Sequence, residues 1–207
     1  MYRSPIIKQY RRYRRAGMEL HHKIINRYLT DKVISEAARA LELGENHELN
    51  LDTEEDLSVL MEYAIYEIKE DGINYVERYQ KEVGGNNRVE RDLLSAKITA
   101  QAELFVVRSF SPGKYTVEIF DLHDESRVLT LTDINFSQST LKDVIIFLRP
   151  IELPDFTTTS GVTFVFPSEM QAELREKWKE WGILGRAERY AKIFQLYKSE
   201  GFPTFYE

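Results

Sequence analysis

The spacing of apolar residues changes once along this chain, near Ala102. Before that point nearly every apolar residue falls at helical intervals. After it, runs such as Tyr115-Thr116-Val117-Glu118-Ile119 alternate residue by residue. A period of 3.6 gathers apolar side chains on one stripe of a helix, and a period of two gathers them on one face of a strand, so one stretch of sequence cannot satisfy both. The switch therefore predicts an α+β protein: a helical N-terminal half over 1–102 that carries a basic arm, a small β domain over 103–167, and a C-terminal helical extension over 168–207. No internal repeat and no low-complexity linker interrupts the chain, which predicts that the extension packs on the rest.

Within the helical half, Ile6, Tyr10, Tyr13, Gly17, Leu20, Ile24 and Tyr28 lie at 4-3-4-3-4-4 spacing and form one stripe. Ser4 suits the N-cap and Pro5 the first turn. Gly17 costs about 1 kcal/mol relative to Ala in a helix interior and marks the place for a break or bend. A short helix follows through Val33, Ile34, Ala37, Ala38 and Leu41, capped by Thr30 and stopped by Gly44. Thr53-Glu54-Glu55-Asp56 opens the next, since a Thr cap and three acids answer both the orphan amides and the helix dipole. Its expected buried face is Leu57, Leu60, Met61, Ala64, Ile65 and Ile68, with Glu62, Glu67 and Glu70 on the solvated side. Asp71-Gly72 ends it, Ile73–Val83 reads as a further helix, and Gly84-Gly85-Asn86-Asn87 breaks the chain before a helix over Arg88–Ala100 with Val89, Leu93 and Ala96 inward.

Beyond Glu103, five strands are expected at Leu104–Phe110, Lys114–Leu122, Arg127–Thr132, Val144–Ile151 and Val162–Phe166. Ser111-Pro112-Gly113-Lys114 has the chemistry of a type II turn with Gly113 at positive φ, and His123-Asp124-Glu125-Ser126 reads as a second turn. Five short strands with tight early connections suggest an antiparallel sheet that curls, or a small barrel of SH3-like or OB-like kind. Ser168-Glu169-Met170-Gln171 reads as a capping box that starts a helix bearing Met170, Leu174, Trp178 and Trp181. Gly182 breaks it, and Leu184–Lys198 forms one more helix, with Ala187, Ala191 and Phe194 on one line and Tyr190, Ile193 and Tyr197 beside it. The end, Gly201-Phe202-Pro203-Thr204-Phe205-Tyr206-Glu207, is aromatic and non-helical, placed to pack on the β region or on a neighbouring subunit.

An acid-capped helix, a helix ending in Asp-Gly, and then the run Leu104-Phe105-Val106-Val107 through Pro150 resemble the helical-plus-β region of uncharacterised bacterial proteins, some of which carry a cysteine-rich SEC-C zinc tail. The resemblance covers roughly Thr53 to Pro167. This chain has no cysteine, so the tail is absent and the resemblance implies a fold region without an assigned activity.

Charge is distributed unevenly. Met1–Leu29 holds eight Lys/Arg against the single acid Glu19, a balance of +7, which leaves −13 on the rest of a chain whose net charge is −6. Arg11, Arg12, Arg14 and Arg15 project from the flanks and back of the apolar stripe. Guanidinium groups in this number fit an anionic partner, and Tyr10 and Tyr13 between them offer stacking surfaces for bases if they are exposed. On the stripe itself the tyrosines read as core, with the arginines either solvated or docked on the acidic body. A headgroup-level membrane helix is the weaker reading, because the stripe is rich in Tyr rather than Leu, Phe or Trp. A coiled-coil seam would have only about three heptads.

Other chemistry finds little support. With zero cysteines there is no disulfide framework, no thiolate zinc site and no cysteine nucleophile, and a reducing, cytoplasmic setting is expected. No stretch reaches the roughly 20 apolar residues of a membrane span. His21 and His22 diverge by about 100° on a helix, His47 stands in a polar loop, and Asp121, His123 and Asp124 have the composition of a turn more than of a metal site. The Gly84–Asn87 run lacks the Lys-Ser/Thr ending of a phosphate loop, and no Gly-x-Ser-x-Gly elbow occurs. No catalytic, cofactor or metal residues are assigned. The expectation is a non-catalytic binding or regulatory module that engages a protein partner or itself. Nucleic-acid binding through Arg11, Arg12, Arg14 and Arg15 is the alternative, and an enzyme with an unrecognised site stands third.

Overall fold

The computed structural model describes residues 5–44 and 48–202. Ser4, His47 and the aromatic positions Phe205 and Tyr206 lie outside the described residues. The chain divides into two compact units, Met1–Thr99 with Leu153–Asp155, and Ala100–Glu152 with Phe156–Glu207.

The first unit is helical. Helix α1 (Pro5–Tyr28) runs unbroken through Gly17 and buries Ile7, Tyr10, Tyr13, Leu20 and Ile24. Each fully buried Leu or Ile contributes roughly 1.5–3 kcal/mol, so these anchors outweigh the glycine penalty of about 1 kcal/mol that made a break plausible. The stripe is shifted slightly from expectation, with Ile7 rather than Ile6 fully buried. Helix α2 (Asp31–Ala40) is capped by Thr30, whose hydroxyl accepts from the Val33 amide. It ends before Gly44: Glu42 takes the left-handed turn at φ 56°, and the Leu43 amide donates back to Ala38.

Helix α3 (Glu54–Tyr66) starts at the expected cap, Thr53 and Asp56 exchanging side-chain and backbone hydrogen bonds. Its burial differs from the sequence expectation. Val59, Leu60, Tyr63, Ala64, Ile65 and Tyr66 are all buried and so is Glu62, whereas Leu57 is exposed. A helix apolar nearly all round is an interior helix, so Glu62 sits inside rather than on a solvated face. The segment after it is not simply helix. Strands β1 (Lys69–Glu70) and β2 (Ile73–Asn74) form a hairpin whose turn residues Asp71 and Gly72 both have positive φ, 54° and 80°. That Asp-Gly pair is the signature of a tight two-residue hairpin. Helix α4 (Tyr75–Glu82) then begins on an Asn74/Glu77 capping box, and α5 (Arg88–Thr99) follows, burying Val89, Leu93, Leu94 and Ala96.

The second unit is built on five strands, β3 (Glu103–Ser111), β4 (Thr116–Asp121), β5 (Val128–Thr132), β6 (Ile145–Glu152) and β7 (Thr157–Phe166), with the short helix α6 (Phe136–Ser139) before β6. They close into a barrel in the order β3-β4-β5-β7-β6. Four seams are antiparallel, as expected; the closing seam, β5 against β7 at Leu131 and Thr157, is parallel, so the barrel is mixed. The β7 strand is also longer than anticipated, beginning at Thr157 rather than Val162. In the β3–β4 turn the left-handed residue is Tyr115 (φ 59°) and not Gly113. Phe105, Val107, Val117, Ile119, Leu131, Val144, Ile146 and Leu148 fill the interior, and Phe136 of α6 packs on them.

On the outer face of β6 and β7, Phe147 and Phe164 stack at 5.6 Å, and Phe164 stacks on Tyr197 at 4.8 Å. Helix α7 (Gln171–Glu180) supplies Trp178 to this cluster, and α8 (Arg186–Glu200) supplies Tyr190, Phe194 and Tyr197. A 3-10 turn at Ser168–Met170 precedes α7, and the Ser168 hydroxyl makes no cap bond, so the expected capping box does not form. Beyond α8, the Phe202 amide donates to the Val165 carbonyl at 2.8 Å, laying the start of the tail along β7.

Candidate anionic-partner interface

Helix α1 presents one face to its own unit and one to solvent. On the inner face the Tyr13 hydroxyl donates to Asp92 at 2.7 Å, and burial followed by that bond raises the tyrosine's pKa. Lys23 bonds Glu90 at 2.7 Å; the ammonium holds the buried carboxyl below its ordinary range, and the carboxylate raises the lysine. One turn later Arg27 reaches Glu82 at 3.3 Å, and Tyr28 donates to the same carboxylate at 2.8 Å. The C-terminal half of α1 is thus neutralised by its own unit.

The N-terminal half is not. Lys8, Arg11, Arg12 and Arg15 are exposed and make no ion pair with any described residue, whereas Arg14 is half-buried and has a partner within the chain. The four exposed cations stand at i, i+3 and i, i+4 spacings, within about 10 Å along the helix axis. Like charges at such positions repel by about 0.2–0.5 kcal/mol per pair. Three of the four arginines singled out from sequence therefore share one solvent face, joined by Lys8, and the fourth is separated from them.

Tyr10 and Tyr13 are each 6% exposed and cannot stack on bases. With Ile7, Leu20 and Ile24 they form the buried stripe of α1, and these side chains are presented neither to a bilayer nor to a coiled-coil partner. Among the described residues no helix is long and apolar enough to cross a membrane.

Polar residues that the sequence reading passed over sit inside the helical unit. Lys97 on α5 is 6% exposed; its ammonium donates to the Tyr66 hydroxyl at 3.0 Å and lies 5.5 Å from that ring. Burial, Lys97 and His22 together push His21 down to about 4. The His21 and His22 rings are 6.3 Å apart, one half-buried and one exposed, in keeping with their expected divergence. The only advance signal for Lys97 was its place four residues after Leu93 on the inward side of α5.

The other sequence candidates resolve into local geometry. Asp121 accepts from the amides of His123 and Asp124 and faces Arg127 at 3.1 Å, which makes it a turn residue. Ahead of α5, the Asn86 amide donates to Glu90, so this loop amide serves the helix's own carboxylate. A family model described as a family of unknown function, DUF7986, matches residues 5–207, and the chain belongs to that family. No curated protein and no solved structure matches it.

Proposed function

We propose that this member of the family is a non-catalytic binding module that engages an acidic protein surface through the outer face of α1. The observation that carries the reading is the contrast along one helix: Lys23 and Arg27 are paired within their unit, and Lys8, Arg11, Arg12 and Arg15 form a self-repelling row exposed to solvent. A row of cations that weakens its own helix is accounted for by a partner that neutralises it. Arg14 belongs to the inner boundary of this surface. A cytoplasmic setting is part of the same proposal and is supported by the cysteine-free composition.

Nucleic-acid binding is the second reading, and it rests on the same guanidinium groups acting on phosphates. The buried tyrosines remove its stacking component. The full chain and an R11E/R12E/R15E variant, titrated with labelled poly-glutamate and with duplex DNA and RNA over a range of salt, separate the two. The expected outcome is binding of poly-glutamate that falls at least about tenfold on charge reversal. Equal binding by both proteins would sink the proposal, and a steep salt-dependent preference for DNA or RNA would replace it with the second reading.

A further inference from the structure

With α1 taken as the working surface, as proposed above, we infer that its occupant is a second copy of this chain, seated by the exposed acids Glu42, Glu48 and Glu54 that lie between α2 and the first turn of α3. Between Arg39 and Lys69 the sequence holds nine Asp or Glu and no Lys or Arg. Glu42, Glu48 and Glu54 are exposed there and, like the α1 row, make no ion pair with any described residue. The same helical unit therefore carries a cationic row and a set of exposed acids, neither of which is ion-paired among the described residues.

The two surfaces also match in their apolar content. Met18, three residues beyond Arg15 on the outer side of α1, is 57% exposed; Leu49, beside Glu48, is 43% exposed, and Leu57, one turn after Glu54, is 42% exposed. The cationic row thus has one large exposed apolar side chain near it in sequence and the acidic residues have two, and protein interfaces combine such apolar area with charge at their rims. An unrelated acidic partner would account for the α1 row alone. A second copy accounts for both rows at once, because in a two-fold pair each basic face meets the other copy's acidic face and the contact is made twice.

The test is sedimentation velocity of the full chain at about 50 mM and about 500 mM salt, where screening differs several-fold. A reversible dimer is expected at low salt, weakening at high salt. R11E/R12E/R15E and E48K/E54K should each raise the dissociation constant about ten- to a hundredfold. An equimolar mixture of the two should restore association, since the reversed basic face of one meets the reversed acidic face of the other while the unaltered faces also meet. Restoration in the mixture shows that both variants are folded; unchanged circular dichroism of each alone is the independent check. A wild-type chain that stays monomeric, or a mixture that fails to associate, overturns the inference. If the monomeric chain still binds poly-glutamate in a manner lost in R11E/R12E/R15E, the second copy is wrong and the module stands; if that binding is also insensitive to the reversal, both fall.

Discussion

The two halves of α1 are built from the same residue types and meet opposite fates. In the C-terminal half, Lys23 and Arg27 are within bonding distance of Glu90 and Glu82, and a buried carboxylate depends on one of them. In the N-terminal half, Lys8, Arg11, Arg12 and Arg15 stand one turn apart with no such counter-charge among the described residues. Beneath both runs one buried stripe, Ile7, Tyr10, Tyr13, Leu20 and Ile24, so each half of the helix has its own apolar anchors. Under the proposed function, cations that stabilise the fold are recognised by the carboxylate that faces them, and those offered to a partner by the lack of one among the described residues.

The largest effects are expected at the shared stripe. Leu20→Ala or Ile24→Ala, each at a fully buried position, should cost about 2–5 kcal/mol in chemical denaturation, whereas Arg11→Ala should stay within about 0.5 kcal/mol. Equal effects would mean that α1 is not anchored as described.

Acid tests the inner side next. His21 titrates near 4 in the folded chain and near its ordinary 6.5 when unfolded, so between those values the unfolded state binds the extra proton. Stability from this group is intact above about pH 6.5 and is lost as pH falls towards 4, about 3 kcal/mol in all. His21→Gln should flatten that part of the stability-versus-pH curve, and an unchanged slope would show that His21 is not held neutral by burial.

Smaller effects sharpen the contrast between the halves. Lys23→Ala should cost about 1–2 kcal/mol, because it leaves the Glu90 carboxylate buried without its ammonium. Gly17→Ala should stabilise by up to about 1 kcal/mol: a methyl group there meets only Leu93 Cδ2 at 3.7 Å, an ordinary contact. Smallest of all, Arg11→Gln or Arg15→Gln should raise stability by about 0.2–0.5 kcal/mol, more at low salt than at high, by relieving repulsion along the row. Destabilisation by these two substitutions would mean that the row has a structural role.

Much of this was legible in the sequence because it follows from periodicity and local chemistry. The period change marked the passage from helix to strand, Thr53 and its acids marked α3, and the α1 stripe assigned Tyr10 and Tyr13 to the core. What escaped depends on neighbours distant in sequence. The parallel seam between β5 and β7 is fixed by barrel closure, which no strand encodes alone. Glu62 and Lys97 are buried because other helices cover them, and a charge on an otherwise apolar helix reads as its exposed edge. The hairpin at Asp71-Gly72 was encoded locally, but its strands are two residues each, too short for alternation to register. On α1 the outward arginines were visible as a group; separating Arg14 from Arg11, Arg12 and Arg15 required knowing which neighbours pack against the helix.

The most direct measurement compares R11E/R12E/R15E with Lys23→Ala in paired assays of poly-glutamate affinity and unfolding free energy on the full chain. The N-terminal variant is expected to lose affinity at least about tenfold with no loss of stability, and the C-terminal variant to lose stability while its folded population keeps near wild-type affinity. Affinity unchanged by the N-terminal reversal, or lost only when the C-terminal half is altered, would contradict this expectation.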